Sequence, residues 1–196
     1  MGRRLIEYAT QAGDTVRALV RDPERLPVGT ALEGRVGDVT DGDAVLAALE
    51  GSDLVLSALG GAGLANPGTI LSKGMRNIVA GMQQLGVRRV LAVAGSGILD
   101  GDGGMLRADA PEFPAIYQPI TREHRGTWEA LRESQLDWTV VCCPDLVDGS
   151  RLGTYRALAN QLPSGGQSIS VEDVAAFMLE EARQDRYLGQ RVGLAY

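Results

Sequence analysis

The feature that most constrains the fold of this chain is an alternation of short apolar strands with amphipathic helices. Residues 53–59 (DLVLSAL), 88–94 (RRVLAVA) and 138–143 (WTVVCC) are apolar runs of strand length. Apolar residues at three- and four-residue steps predict a helix over 68–85 and another over 119–134. Strands that lack polar alternation are buried on both faces, which is typical of a parallel sheet with helices on both sides.

Shorter patterns extend this alternation toward both ends of the chain. They predict a helix over 3–12, a strand over 15–20, a helix over 41–49, a helix capped by Ser170 and a last strand over 191–195. At 196 residues, one domain is the natural size. The sequence therefore predicts a single α/β domain, residues 1–196, with a doubly wound parallel sheet.

Composition argues against several classes of protein. The formal net charge is −6, whereas a protein that binds nucleic acid normally presents a basic face. No apolar stretch is long enough to span a bilayer, and nothing resembles a signal peptide. The adjacent Cys142 and Cys143 lie in an apolar run, which is typical of small buried side chains in a reduced compartment. We therefore expect a cytoplasmic protein that contacts neither nucleic acid nor membrane.

Two patterns that resemble metal sites do not meet the chemical requirements. Asp100 and Asp102 match the first two ligand positions of a calcium loop, but Pro111 stands where the closing Glu is required. A single histidine and two cysteines in an apolar strand make a poor zinc set. No metal is expected.

The carboxyl ends of the predicted strands indicate where a ligand binds. In an open parallel sheet, ligands occupy the crevice beyond these ends. The clusters that this rule brings together are Arg21, Asp38, 57–61, 94–97 and 144–146. Their convergence predicts a nucleotide-binding crevice.

Arg21 bears on the choice of nucleotide. An acidic residue at the end of the second strand usually accepts a hydrogen bond from a free ribose 2′-hydroxyl, whereas an arginine matches a 2′-phosphate. Arg25, one helical turn later, is positioned to bind the same phosphate. The alternatives are that both arginines are solvated turn residues, or that Asp22 selects the non-phosphorylated cofactor.

His124 and Ser96 are the candidate catalytic residues. His124 lies on the apolar stripe of its helix, so it faces the protein body or the crevice, either for acid–base chemistry or as a packed structural residue. Ser96 follows a strand and can hydrogen-bond a carbonyl or amide of a ligand. A tyrosine–lysine proton relay at Tyr117 is excluded, because Thr121 occupies the lysine position and Lys73 is the only lysine in the chain.

Several segments, in order, resemble one protein family. They are VRALVRDPERLP, VGDVTD, SDLVLSALG, ILSKGMRNIVAGMQQLGVRRVLAV and TWEALRESQLDWTVVCCPDLV. The chain is similar over nearly its whole length to the atypical short-chain dehydrogenase/reductases of the NmrA-like and flavin reductase/biliverdin reductase B type. The resemblance implies a Rossmann-type fold, NADPH as cofactor with NAD as the alternative, and hydride transfer to a planar acceptor such as a flavin or quinone.

The resemblance also implies roles for particular residues. A histidine of the family is replaced by Asp145, which weighs against biliverdin as the substrate. A protein of this kind that binds NADP as a sensor or scaffold, without turnover, is the alternative function. The expected catalytic residues are His124 and Ser96, and the expected cofactor-binding residues are Gly2, Arg21, Arg25, Asp38, Val39, Ala58, Leu59, Gly60, Gly95, Asp145 and Leu146.

The N-terminus departs from the family pattern. The family begins with a strand and a glycine turn of the form GATGxxG, roughly a dozen residues, of which Gly2 alone is present. This predicts an N-terminally truncated sheet in which the strands at 15–20 and 54–58 each lose a neighbour. Three interpretations are open: the native polypeptide starts upstream of Met1, another chain donates a strand by exchange, or the two strands close up directly in a form unable to bind the dinucleotide. We favour the first, because the downstream pattern shows no compensating change.

Overall fold

The helices and strands follow the predicted order in the computed structural model, which describes residues 1–27, 29 and 31–196. The helices are α1 (Gly2–Gln11), α2 (Gly42–Leu49), α3 (Ile70–Leu85), α4 (Gln118–Arg132) and α5 (Val171–Gln184). The strands are β1 (Val16–Val20), β2 (Leu32–Val36), β3 (Leu54–Ser57), β4 (Arg89–Gly95), β5 (Asp137–Cys143), β6 (Asp145–Val147), β7 (Arg156–Ala159), β8 (Ser168–Ser170) and β9 (Gln190–Ala195).

The largest sheet has five strands in the order β3-β4-β5-β9-β7. The first four run parallel, and β7 pairs antiparallel with β9. The predicted doubly wound parallel sheet is confirmed, with one antiparallel strand, β7, added at this edge. A further parallel pair, β6 with β8, lies beside the sheet. The sequence pattern missed β6, β7 and β8 because they are short and lie within or beside a polar, glycine-containing segment.

A second sheet contains only β1 and β2, which run parallel. Within the described residues β1 pairs with no strand other than β2, and β3 pairs with none other than β4. In the described residues each of these two strands therefore has one strand neighbour. The interpretation in which they close up directly is wrong, because no backbone ladder joins them.

Helices cover both faces of the sheets, as predicted. On one face α2, α3 and α4 bury side chains such as Met75, Met82 and Leu131 against β4 and β5. On the other face α1 and α5 bury Leu5 and Phe177. Among the described residues, none of the helices has both the length and the apolarity needed to cross a membrane.

The two cysteines lie on opposite faces of β5, as their adjacency in a strand requires. Cys142 packs into the first core cluster and Cys143 into the second, and both thiols are free and buried. Burial raises the pKa of Cys143 to about 12 and that of Cys142 well above its usual value. The prediction that they are buried apolar side chains is confirmed.

Candidate active site

The carboxyl ends of the central strands lie side by side. Ser57 of β3 pairs with Ala92 of β4, and Gly95 of β4 pairs with Cys143 of β5. The residues that follow these ends, 58–60, 96–98 and 144–146, therefore share one edge of the sheet. This is the edge at which ligands bind in folds of this class.

The β1–β2 pair contributes Arg21 and Asp38 to the same edge. The carboxylate of Asp38 accepts hydrogen bonds from the backbone N–H and the hydroxyl of Thr40, both at 2.8 Å. These bonds lower the pKa of Asp38, with smaller contributions from the charges of Arg21 and Lys73. The guanidinium of Arg21 is exposed and makes no hydrogen bond or ion pair with the described residues. The side chain of Arg25 lies outside the described part of the chain.

A close approach of α3 joins these residues to the end of β3. A Cβ atom added at Gly74 would lie 2.8 Å from Val39 Cγ1 and 3.1 Å from Leu59 Cδ1, so a larger residue there would displace these side chains. Asn77 reinforces the contact, since its side-chain amide donates to the Val39 carbonyl at 2.9 Å. Sequence reasoning missed Gly74 and Asn77; the signal was a glycine in the middle of a strong helix.

Helix α1 begins at the same edge. A Cβ atom at Gly2 would lie 3.8 Å from Ala58 Cβ, an ordinary contact distance. Met1 occupies the N-cap position and provides no side-chain hydrogen bond to the first turn. The structure thus places Gly2 beside Ala58, and both are predicted cofactor-binding residues.

His124 reaches from α4 to the end of β4. The backbone N–H of Gly95 donates to its Nδ1 at 2.9 Å, so the neutral ring carries its proton on Nε2. A Cβ atom at Gly95 would also lie 2.9 Å from Nδ1, and glycine is therefore needed for this contact. Burial lowers the pKa of His124 to about 4, against a smaller opposite effect from Glu123. At neutral pH the side chain is an uncharged N–H donor.

Glu123 fixes the position of α4 and hence of His124. Its carboxylate accepts the backbone N–H of Ser72 at 3.1 Å and the Ser72 hydroxyl at 3.0 Å, which satisfies an open donor in the first turn of α3. Gly126 lets the two helices approach, because an added Cβ would lie 2.8 Å from Ser72 Cβ. Neither contact was predicted from the sequence.

Asp173 holds the segment that follows β6. Its carboxylate is buried and accepts the backbone N–H groups of Leu152 and Gly153 at 3.0 and 2.8 Å. It also accepts the Tyr196 hydroxyl at 2.6 Å and the Ser170 hydroxyl at 2.9 Å. The predicted cap by Ser170 is present, since the Ser170 hydroxyl accepts the Asp173 N–H at 3.0 Å. No sequence pattern indicates that Asp173 also binds Leu152, Gly153 and Tyr196.

The remaining predicted residues lie at the same edge without a common contact. Ser96 is half-buried and starts a short 3-10 turn after β4. Asp145 and Leu146 lie in β6 with exposed side chains, and no hydrogen bond or ion pair among the described residues joins them to His124. No group of three or more potential metal-ligating side chains occurs among the described residues.

Exposed apolar side chains lie on three segments near this edge. Leu64 is in the segment between β3 and α3, Ile116 precedes α4, and Leu146 and Leu152 are in and after β6. The β3–α3 segment meets α4, because a Cβ atom at Gly61 would lie 3.0 Å from Ile120 Cδ1. An apolar surface of this kind is typical of a ligand-binding or interaction site.

A family model for NAD(P)H-binding proteins matches residues 1–185. The chain belongs to this NAD(P)H-binding family. The match includes every segment that forms the edge described above. The shared fold explains why residues far apart in sequence converge beyond the ends of the strands.

Solved structures resemble this NAD(P)H-binding chain over its whole length. A Burkholderia pseudomallei protein provisionally named as exported is 30% identical, with TM-score 0.85, and the match covers 100% of this chain and 94% of that one. A provisionally named epimerase from Bacteroides thetaiotaomicron is 28% identical, with TM-score 0.85 and coverages of 100% and 91%. A provisionally named NADH-flavin reductase from Streptococcus pneumoniae, 23% identical with TM-score 0.81 and coverages of 99% and 93%, shares the fold.

A curated relative matches a smaller part of the chain. It is a 3-beta-hydroxysteroid dehydrogenase from Mycolicibacterium neoaurum, 28% identical over an alignment of 120 residues that covers 56% of this chain. The match spans only 33% of that protein's length.

Proposed function

We propose that this protein is an NADPH-dependent oxidoreductase that reduces a planar acceptor of the flavin or quinone class. The observation that carries the proposal is the arrangement of one edge of the sheet. There an exposed arginine lies at the nucleotide end, and a neutral histidine lies beside the end of β4. The names of the relatives, a dehydrogenase and a flavin reductase among them, support redox chemistry.

The residues at the nucleotide end fit a phosphorylated dinucleotide. Arg21 is exposed and makes no ion pair with the described residues, so its guanidinium is available to a 2′-phosphate. Asp22, which would favour a free ribose hydroxyl, instead accepts the Glu24 N–H at 3.1 Å at the start of a turn. Val39 and Leu59 supply the apolar wall that an adenosine group needs. Gly60 leaves open space for close approach of the backbone.

The residues on the acceptor side of the site orient the acceptor and exclude water. When bound, NADPH supplies a hydride. His124 holds its Nε2 proton at neutral pH, so it acts as a neutral hydrogen-bond donor that polarises an acceptor oxygen or nitrogen. It does not act as an imidazolium acid, because burial keeps its pKa at about 4. Ser96 offers a second donor at the end of β4, and solvent supplies the proton.

The surface near this edge supports the class of acceptor that we propose. Leu64, Ile116 and Leu152 expose apolar side chains there. A flat, largely apolar ring system covers such side chains more favourably than a small charged metabolite does. This supports a flavin or a quinone.

Measurement of turnover distinguishes the proposed reductase from the alternative, an NADP-binding sensor without turnover. We expect NADPH oxidation, followed at its absorbance band, to require added FMN or menadione, with little oxidation in the absence of an acceptor. An NADP-binding sensor would instead bind NADPH with micromolar affinity and oxidise none of it with either acceptor. That result would overturn the reductase proposal.

The Arg21→Ala variant tests the choice of nucleotide. Loss of a charged hydrogen bond should weaken NADPH binding by about 1.5–3 kcal/mol, or about 10- to 150-fold. NADH binding should be nearly unchanged. The control is Arg35→Ala, since Arg35 is exposed on β2 and pairs with Glu33 at 2.7 Å. Equal losses for NADPH and NADH, measured by nicotinamide fluorescence, would contradict the phosphate role.

A further inference from the structure

A cleft that the proposed function does not use lies beside the segment that follows β4. Its volume is about 510 Å³, within the range of roughly 300–1,000 Å³ that is typical of small-molecule sites. Its walls come from residues 100–114, which follow β4, and from residues 161–162, which follow β7. The Asp100 N–H donates to the Asn160 carbonyl at 2.8 Å. The two walls are therefore held together by backbone hydrogen bonding.

The cleft adjoins the end of β4, where we propose that the acceptor binds. Ser96 begins the turn after β4, the Leu99 N–H donates to its carbonyl at 3.1 Å, and the Arg107 N–H donates to the Leu99 carbonyl at 2.8 Å. Phe113 lines the cleft and packs against the same turn, since a Cβ atom added at Gly97 would lie 2.9 Å from its Cζ. An acceptor bound at the end of β4 therefore has this cleft next to it.

The charge of Arg107, which lines the cleft, is not balanced by the described residues. The side chain is partly buried, and its Nε is inaccessible to solvent and has no hydrogen-bond partner among them. The Nε of Arg89 also lacks a hydrogen bond, but it lies 2.7 Å from the carboxylate of Asp185. Asp100 lines the same cleft as Arg107 but is paired with Arg191 at 2.6 Å. Because buried charges are normally paired, an anion supplied by a ligand would complete the site.

The other polar groups of the cleft are mainly hydrogen-bond acceptors. Asp102 and Glu112 present exposed carboxylates, and Gln161 presents an exposed amide. Carboxylates accept hydrogen bonds from hydroxyl groups but repel an anion that lies close to them. A ligand segment that fits both features carries several hydroxyl groups and one terminal anionic group that reaches Arg107. A long hydrocarbon tail would displace water from the carboxylates without supplying a hydrogen bond.

We infer that this cleft binds a polyol phosphate chain of the acceptor, so that the acceptor is a phosphorylated flavin such as FMN rather than a long-tailed quinone. Arg107 selects the phosphate, because a guanidinium forms two parallel hydrogen bonds with an oxyanion. The ring system of the flavin then lies at the end of β4, beside His124. The inference rests on the proposed reductase function for the identity of the acceptor. Arg107 takes no part in hydride transfer and determines only which acceptor binds.

Binding of FMN and riboflavin to the full chain in the absence of NADPH tests the inference separately from turnover. The two flavins share the ring system and the ribityl chain and differ only in the phosphate. We expect FMN to bind roughly tenfold or more tightly than riboflavin, because the phosphate adds a charged hydrogen-bonded pair. Quenching of flavin fluorescence measures both affinities. Equal affinities, or no saturable binding of FMN, would overturn the inference.

The Arg107→Met variant keeps a long side chain at this position and removes the charge. We expect it to weaken FMN binding roughly tenfold or more and to change riboflavin binding less than about twofold. The control is Arg88→Ala, which removes the same charge at the opposite end of β4, where Arg88 pairs with Asp137 at 2.9 Å. Equal FMN affinities in the two variants would contradict the role of Arg107. If Arg107→Met does not fold, the comparison of FMN with riboflavin on the unaltered chain decides.

Hydrogen exchange locates the bound phosphate. At equal saturation, FMN should slow exchange of the Gly101 and Arg107 amides more than riboflavin does. Slowing confined to residues outside 100–114 would overturn the cleft as the phosphate site. NADPH oxidation that is equal with both flavins and unaltered in Arg107→Met would reject the cleft and retain the reductase function. FMN binding that depends on Arg107, without NADPH oxidation, would support the cleft and reject the reductase function.

Discussion

The Asp173→Ala variant is expected to lose about 3–5 kcal/mol of its free energy of unfolding, the range of a broken buried network. The carboxylate is fully buried and accepts four hydrogen bonds, from Leu152, Gly153, Ser170 and Tyr196. Its removal leaves several buried donors without a partner, each at a cost of about 1–3 kcal/mol. Urea denaturation measures the loss.

A control variant that removes a single donor distinguishes the contribution of the carboxylate from that of one partner. Tyr196→Phe removes one of the four donors and should cost about 1 kcal/mol. Equal losses for Tyr196→Phe and Asp173→Ala would contradict a central role for the carboxylate. Hydrogen exchange at Leu152 and Gly153 should accelerate in Asp173→Ala, since these amides are then no longer bound.

The charge state of Asp173 makes the free energy of unfolding depend on pH, and the direction of this dependence follows from the pKa shift. Burial alone would raise the pKa of Asp173, but hydrogen bonds from Tyr196 and from the backbone of Leu152 and Gly153 hold it below its usual value. A carboxyl group whose pKa is depressed by folding stabilises the protein above the pKa of the unfolded chain. That contribution is lost as the pH falls.

The second large effect is a loss of stability in acid that depends on His124. Burial lowers the pKa of His124 from 6.5 to about 4 in the folded protein. Between these two values the unfolded chain binds the proton and the folded chain does not, so stability falls as the pH decreases. A shift of this size corresponds to about 3 kcal/mol between pH 6.5 and pH 4.

The matched variant is His124→Gln, which keeps a polar side chain and does not titrate. The difference in unfolding free energy between the native chain and this variant should change by about 3 kcal/mol over that pH range. Parallel pH profiles would show that His124 is not held neutral by the fold. If the protein is a reductase, the variant should also lower turnover more than NADPH affinity, because the proposed role of Nε2 is to donate a hydrogen bond to the acceptor.

The strand–helix alternation was sufficient to predict the central architecture. Continuous apolar runs located β3, β4 and β5, and the rule for ligand sites in parallel sheets located Arg21, Asp38 and the end of β4 on one edge. These features depend on the local spacing of apolar residues and on the order of strands and helices along the chain, and both can be inferred from the sequence.

Contacts between distant residues were not predictable in the same way. Asp173 carries the expected capping signal, but its hydrogen bonds to Leu152 and Tyr196 depend on how a loop and the last strand return to α5. The neutral state of His124 depends on its depth and on a backbone N–H from β4, neither of which its helix position shows. Strand β7 was not predicted, because an edge strand with exposed side chains lacks a run of apolar residues.

The position of Cys142 and Cys143 has a practical consequence for measurements on this protein. Only the thiolate reacts with alkylating reagents, and burial keeps both thiols protonated and inaccessible in the folded state. The rate of labelling by iodoacetamide therefore reports how often the centre of the sheet opens to solvent. The chain thus contains its own chemical reporter of global unfolding, and no fluorescent tag has to be introduced.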